Sequence, residues 1–276
     1  MLLESTERGG WGRMELAAAA FIVLLVIALG IPALLSTRER ARRQLCADRL
    51  HLLAQGTRIY SVQFDAFPYG SVVNEKLSPE KRLSWYVGAW PFPVLKYELY
   101  QKTELAIDLG AAWDAAENRA PRIRIGDETR PFARPAMFRC PAAGVVVQPG
   151  DGPGLTEFVG MAGLGKQAST LPRNSHNRGV WNADLQTQPG EITRGESHVL
   201  LLIETAQDNG AWTASGLPTL RGFDPKGPPP VGAAAQFGGW HAGGANAVYV
   251  DEHVQFISDR IDPRVFSPLC LIARPE

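Results

Sequence analysis

The chain has 276 residues, enough for one or two domains, and its 28 basic and 28 acidic residues give a formal net charge of zero. This balance argues against a nucleic-acid-binding role, which needs a basic surface. Its 28 Gly, 21 Pro and 7 Trp favour a loop-rich body with β-structure over a helical bundle.

The first element is an apolar run of 20 residues that begins at Leu16 and ends at Leu35. As a helix rising ~1.5 Å per residue it would span roughly 30 Å, the hydrocarbon thickness of a bilayer. The run is too long for the core of a secretory signal peptide, and no small-residue cleavage site follows it. A plain single-span anchor fits its length, but does not explain why Glu15 precedes the run and Pro32 lies inside it.

Both residues have a place in a resemblance to type IV prepilins. In that family a short polar leader ends in Gly, and a dedicated peptidase cuts after it and methylates the new amine. Gly10 would end the leader and Trp11 would begin the mature chain. Glu15 is then the fifth mature residue and Pro32 the twenty-second, as the family has them. The resemblance implies an assembly role for Glu15, because a carboxylate in apolar surroundings needs a partner and a neighbouring subunit's N-terminal amine can supply it.

Helical periodicity continues beyond the apolar run. Apolar residues recur at helical spacings as far as the helix-breaking segment at 67–70, namely Leu45, Leu50, Leu53 and Ile59. This pattern predicts one helix of about 50 residues whose outer half is amphipathic and packs on a sheet.

Landmarks in the rest of the chain resemble one large family, abundant in planctomycetes, that joins a pilin-like N-terminus to a domain of unknown function. They follow in the family's order: RRQLCADRLHLLAQG at 42–56, a Trp-containing strand and a helix within 83–105, WDAAEN at 113–118, FRCP at 138–141, strands within 157–163 and 192–206, and a Trp-Thr segment at 211–220. The resemblance implies an α+β fold, with a long N-terminal helix packed on a mainly antiparallel sheet that carries long loops.

The family's C-terminal signature is His, nine residues and Asp-Gly. His241 and Asp251 have this spacing, and Glu252 stands in place of the Gly. The pattern predicts a β-hairpin with Asp251 and Glu252 in its turn. Because Gly adopts positive φ easily and Glu does not, we expect a different turn from the family's.

These residues do not make a convincing catalytic set. His241 most simply fixes a loop by hydrogen bonding, and Glu204, at the end of an apolar strand, most simply caps amides or pairs with an Arg. His253 adds a second imidazole near Asp251, but the calcium-ligand spacing is missing. No Ser elbow or phosphate loop is present. We therefore predict no enzyme, no cofactor and no metal site.

Two cysteine positions match cysteines of the family, and the resemblance implies a candidate disulfide between Cys46 and Cys140 if the body is exported. Cys270 would then be the unpaired thiol, or else an alternative partner in the bridge. The Pro/Gly-rich stretch 216–236 and the stretch 172–190, which includes Trp181, are expected to be surface loops.

The predicted domains are a leader (1–10), a membrane-spanning helix (11–35), its amphipathic continuation (36–66) and a globular head (67–276). We expect a structural subunit in the inner membrane, with the head on the periplasmic side, as pilin-like topology implies. Arginines are more numerous after the span than before it, which by the positive-inside rule favours the opposite orientation. Expected partners are the prepilin peptidase, other pilin-like subunits and the membrane. The rivals are an anchored binding or sensor module and, third, an anchored enzyme.

Overall fold

The computed structural model describes residues 12–89, 103–132, 136–144 and 153–274. Contacts within the chain divide it into two units, residues 1–41 and 42–276. Helix α1, Arg13–Phe64, belongs in part to each unit.

In the first unit, α1 is strongly apolar and its side chains are exposed. Phe21 and Leu29, for example, are each 66% exposed. Among the described residues, α1 is the one helix that is long and apolar enough to cross a membrane. Pro32 lies inside it, and the hydroxyls of Ser36 and Thr37 donate to the carbonyl of Ala33, which lies one turn before them. Such bonds satisfy polar side chains at the end of an apolar segment without leaving the helix.

The second unit contains a five-stranded sheet with the order β6-β4-β5-β7-β8. Its strands are β4 Phe158–Leu164, β5 Leu200–Glu204, β6 Leu220–Phe223, β7 Gly244–Tyr249 and β8 Val254–Ser258. The β4–β5, β5–β7 and β7–β8 pairs are antiparallel, whereas β4–β6 is parallel, so the sheet is mixed.

Both faces of this sheet are buried, which explains why β4, β5 and β7 read as nearly continuous small or apolar runs. On one face, Leu50 and Leu53 of α1 join a core that includes Trp85, Trp181 and Trp212. On the other face, residues of the sheet pack with Phe266 of helix α3, Pro263–Leu269.

A separate three-stranded antiparallel sheet lies earlier in the second unit. It has the order β1-β2-β3 and consists of β1 Thr103–Ala106, β2 Arg122–Ile125 and β3 Glu128–Pro131. Strand β3 is exposed along its whole length, while β2 buries Ile123.

Three expectations differ from the structure. The Trp-containing segment forms a short helix, α2 Trp85–Gly88, rather than a strand, and most of the helix expected after it lies outside the described residues. The stretch 216–236 is not all loop, because it contains β6, in which a Cβ on Gly222 would lie 2.2 Å from the carbonyl oxygen of Gly165. Trp181 is fully buried and donates its indole N–H to the carbonyl of Leu201.

Candidate functional site

The predicted processing residues, Gly10 and Trp11, lie outside the described residues. Glu15 is described and lies in the first turn of α1. Its Oε2 accepts a hydrogen bond of 2.9 Å from the amide of Gly12, so the carboxylate caps the helix start. A carboxylate at this end also interacts favourably with the helix dipole.

Cys46 and Cys140 form a disulfide bridge, with their Cα atoms 5.3 Å apart. Both residues are fully buried. Cys46 comes from α1, and Cys140 comes from the loop after residues 136–138. That loop is fixed from two sides: Glu157 accepts the amide of Cys140 at 2.6 Å, and Arg49 of α1 donates to the carbonyl of Arg139. The bridge therefore ties α1 to the body of the second unit.

Glu204 is the last residue of β5, and its side chain is fully buried. Its two carboxylate oxygens accept from Asn246 of β7, Oε2 from the backbone amide at 2.8 Å and Oε1 from the side-chain amide at 2.9 Å. Asn246 also donates to the carbonyl of Arg43 of α1 at 3.2 Å. These bonds agree with the expectation that Glu204 caps nearby amides, and both amides belong to one residue, Asn246.

His241 lies beside Cys140 and Glu204, because it comes just before β7, next to the residue at which β5 ends. Its Nε2 is 3.4 Å from Sγ of Cys140 and 3.5 Å from Oε1 of Glu204. Because β5 and β7 are antiparallel neighbours, the C-terminal end of β5 lies beside the N-terminal end of β7. The four residues Cys46, Cys140, Glu204 and His241, here called the Cys–Glu–His cluster, offer ligand atoms that all lie within 4.8 Å of one another.

The cluster is closed to solvent, because the most exposed of its four residues, His241, is only 5% exposed. A buried carboxylate requires hydrogen bonds and a positive partner. Asn246 supplies the hydrogen bonds, and the imidazole of His241 lies beside the carboxylate. Chemically, this arrangement can hold a cation once the disulfide is reduced, but it offers no open face to a large substrate.

The two signature residues do not lie together. His241 precedes β7 and Asp251 follows it, and a six-residue strand separates the two ends by roughly 20 Å. Asp251 instead accepts from the imidazole of His253, with 2.5 Å between Oδ1 and Nδ1. Each signature residue therefore makes its contacts at its own end of β7.

The turn after β7 corrects our expectation about Glu252. The amide of Glu252 donates to the carbonyl of Tyr249 at 3.0 Å, and Glu252 itself has φ of 73°. This is a type I turn followed by a left-handed residue, the position at which a Gly is usual. Glu252 adopts the positive φ that we expected it to avoid, because strand pairing on both sides fixes the backbone there.

The third cysteine, Cys270, is a buried free thiol at the C-terminal end of α3. Burial raises its pKa well above the ordinary value, so the thiolate is scarcely populated. Cys270 does not belong to the cluster.

A cleft of about 740 Å³ opens beside β6. Arg221 and Lys166 are among its lining residues. Arg221 is almost completely buried, donates to Thr205 Oγ1 at 2.9 Å and to the carbonyl of Leu217 at 2.8 Å, and its burial lowers its pKa to about 10. Sequence reasoning missed this cleft, since it treated the stretch that contains Arg221 as a loop.

Sequence reasoning singled out each member of the cluster but did not group them. Cys46 and Cys140 were paired with each other, His241 with Asp251, and Glu204 with no specific residue. The missing information was that β5 and β7 are neighbours. Asn246, two residues after the start of β7, carried no signal that distinguished it from an ordinary strand residue.

Comparison with known proteins gives one family. The family described as "Protein of unknown function (DUF1559)" matches residues 35–218. No curated protein and no solved structure shows significant similarity to the chain. The matched segment contains Cys46, Cys140 and Glu204, and it ends before His241. Since it covers about two thirds of the sequence, the chain belongs to the DUF1559 family of proteins of unknown function.

Proposed function

We propose that this protein is a pilin-like structural subunit, anchored in the inner membrane by α1 and processed by a prepilin peptidase. It would then assemble with other pilin-like subunits in a type IV pilus or a pseudopilus related to type II secretion. Its head would lie on the periplasmic side. The observation that carries the proposal is the register of Glu15 and Pro32 in one long helix, counted from Trp11.

The properties of α1 support this proposal. The helix is continuous over 52 residues, and the side chains of its apolar part are exposed. A helix with this surface requires lipid or other helices around it, as both a membrane and the centre of a pilin-like filament would provide. Glu15 would exchange its bond to the Gly12 amide for the N-terminal amine of a neighbouring subunit.

The experiment that tests assembly replaces Glu15 by Ala in the full chain. We expect Glu15→Ala to abolish recovery of the protein in the sheared filament fraction, while its amount in the membrane is unchanged. Glu39→Ala is the matched control, because it removes a Glu of the same helix outside the apolar run. Equal recovery of Glu15→Ala and wild type in filaments would contradict the proposed role of Glu15.

A second candidate function is an anchored binding or sensor module, and the cleft beside β6 favours it. A cavity of about 740 Å³ falls within the range of small-molecule sites. Under this alternative the full chain is monomeric in detergent and in native membranes. Crosslinking in native membranes separates the two functions, because a filament subunit gives a ladder of products and a monomeric module gives none.

A further inference from the structure

We propose that the Cys–Glu–His cluster is a zinc site in the dithiol form of the protein, and that the disulfide and the metal complex are alternative states of one site. The ligands would be the sulfurs of Cys46 and Cys140, Nε2 of His241 and Oε1 of Glu204. The metal class follows from the donors, since thiolate, imidazole and carboxylate together suit Zn²⁺.

The distances within the cluster fit tetrahedral coordination. With Zn–S of ~2.3 Å and Zn–N or Zn–O of ~2.0 Å, a tetrahedral ion separates its ligand atoms by roughly 3.3–3.8 Å. The Nε2 atom of His241 is already 3.4 Å from Sγ of Cys140 and 3.5 Å from Oε1 of Glu204. Once the S–S bond is broken, the two sulfurs need only separate to a similar distance.

The surroundings of Glu204 resemble the support that metal ligands usually have. Asn246 holds both carboxylate oxygens through two donors, which fixes the orientation of the carboxylate. Such hydrogen bonds to a ligand are a regular feature of metal sites and raise metal affinity. Burial of the cluster also excludes competing water ligands, as closed four-ligand zinc sites require.

The two states interconvert by a balanced reaction. A dithiol reductant donates two electrons and two protons to the Cys46–Cys140 bond, which gives two thiols and an oxidised reductant. Zn²⁺ then binds, forms two S–Zn bonds and displaces the two thiol protons. In the reverse direction, zinc leaves, the two thiolates take up two protons, and transfer of two electrons and two protons to a disulfide oxidant restores the S–S bond and yields the oxidant's dithiol.

Cobalt binding by the full chain in detergent micelles tests the proposal. After anaerobic reduction, we expect one equivalent of Co²⁺ to bind with the thiolate charge-transfer and d–d absorption of a tetrahedral site, and Zn²⁺ to displace it. The oxidised chain is expected to give neither absorption. Its remaining thiol, Cys270, should react with thiol reagents only after denaturation, which verifies the starting state.

Variants identify the ligands. His241→Gln and Glu204→Gln should each weaken Co²⁺ binding at least ~10-fold, whereas His253→Gln and Cys270→Ser, which lie outside the cluster, should bind as wild type does. Formation of the Cys46–Cys140 disulfide on reoxidation shows that a variant folds. If a variant does not form this disulfide, its Co²⁺ binding is not interpreted, and the test rests on the Co²⁺ spectrum of the reduced wild type. The proposal is overturned if the reduced wild type binds no Co²⁺, whether or not it stays folded, or if the spectrum of its Co²⁺ complex lacks thiolate bands. It is also overturned if folded His241→Gln binds Co²⁺ as tightly as wild type does.

Discussion

Arg178 is a buried guanidinium whose charge is balanced by Glu191. Its Nη1 lies 3.3 Å from Oε1 of Glu191 and its Nη2 donates to Thr187, while Arg173 binds the same carboxylate at 2.7 Å. Partial burial of Glu191 raises its pKa, but the Gln188 amide and the two guanidinium groups outweigh this effect. The pKa of Glu191 is therefore held below its ordinary value of 4.5.

We predict that Glu191→Gln lowers the free energy of unfolding by about 2 kcal/mol at neutral pH, because it leaves the Arg178 charge buried without its counter-charge. Glu75→Gln, at an exposed position, should change it by less than about 0.5 kcal/mol. Denaturant unfolding of both variants measures this difference. An equal effect of the two substitutions would contradict the role given to the pair.

The pH dependence of Glu191→Gln follows from the direction of the pKa shift. A carboxylate with a lower pKa in the folded state contributes stability that is complete above its unfolded pKa. That contribution is lost as the pH falls through the folded pKa. The difference between wild type and Glu191→Gln should therefore be constant near neutral pH and shrink below pH ~4.5.

At the scale of the element, the β7–β8 hairpin contains a strained residue. Glu252 has φ of 73°, which costs an L-residue about 1 kcal/mol, and within the described part of the chain its side chain accepts no hydrogen bond. Its backbone makes two hydrogen bonds within the described part of the chain. The amide donates to the carbonyl of Tyr249, and the carbonyl accepts from the imidazole of His51 at 2.9 Å.

We predict that Glu252→Gly raises the free energy of unfolding by about 0.5–1 kcal/mol, since Gly adopts this φ without strain and both backbone bonds remain. Glu252→Ala is the control, because it removes the carboxylate but keeps the Cβ, and it should stay within about 0.5 kcal/mol of wild type. If Glu252→Gly is less stable than Glu252→Ala in denaturant unfolding, backbone strain at this position is the wrong explanation.

The elements that the sequence predicts well are those with local signals. The expected helix of about 50 residues is α1, which ends at Phe64, and the hairpin strands fall at β7 and β8. Strand β6 has only four residues in a Pro/Gly-rich stretch, and it forms because β4 offers it a parallel edge. That edge is a property of the folded sheet and leaves no pattern in the local sequence.

At the scale of the whole molecule, the Cys–Glu–His cluster shows why a site is harder to predict than a strand. Cys46, Glu204 and His241 are distant in sequence, and they meet because α1 packs on the sheet and β5 lies beside β7. Strand order is decided by packing of the complete sheet. The spacing of His241 and Asp251 therefore indicates the length of one strand, β7, and does not indicate the contact between His241 and Glu204, which joins two strands.

Helix α1 is long and apolar enough to cross a bilayer, and it continues into the unit that carries the sheet. Membership of the DUF1559 family and this helix are compatible with a membrane-anchored surface protein. Whether the helix is a plain anchor or that of a processed pilin-like subunit depends on the state of its N-terminus.

Mass spectrometry of the N-terminal peptide from native membranes shows directly where the mature chain begins. For a pilin-like subunit we predict a peptide that begins at N-methylated Trp11, because cleavage after Gly10 places Glu15 fifth in the mature chain. A peptide that begins at Met1, or at Leu2 after removal of Met1 alone, would contradict processing by a prepilin peptidase and with it the proposed role as a pilin-like subunit.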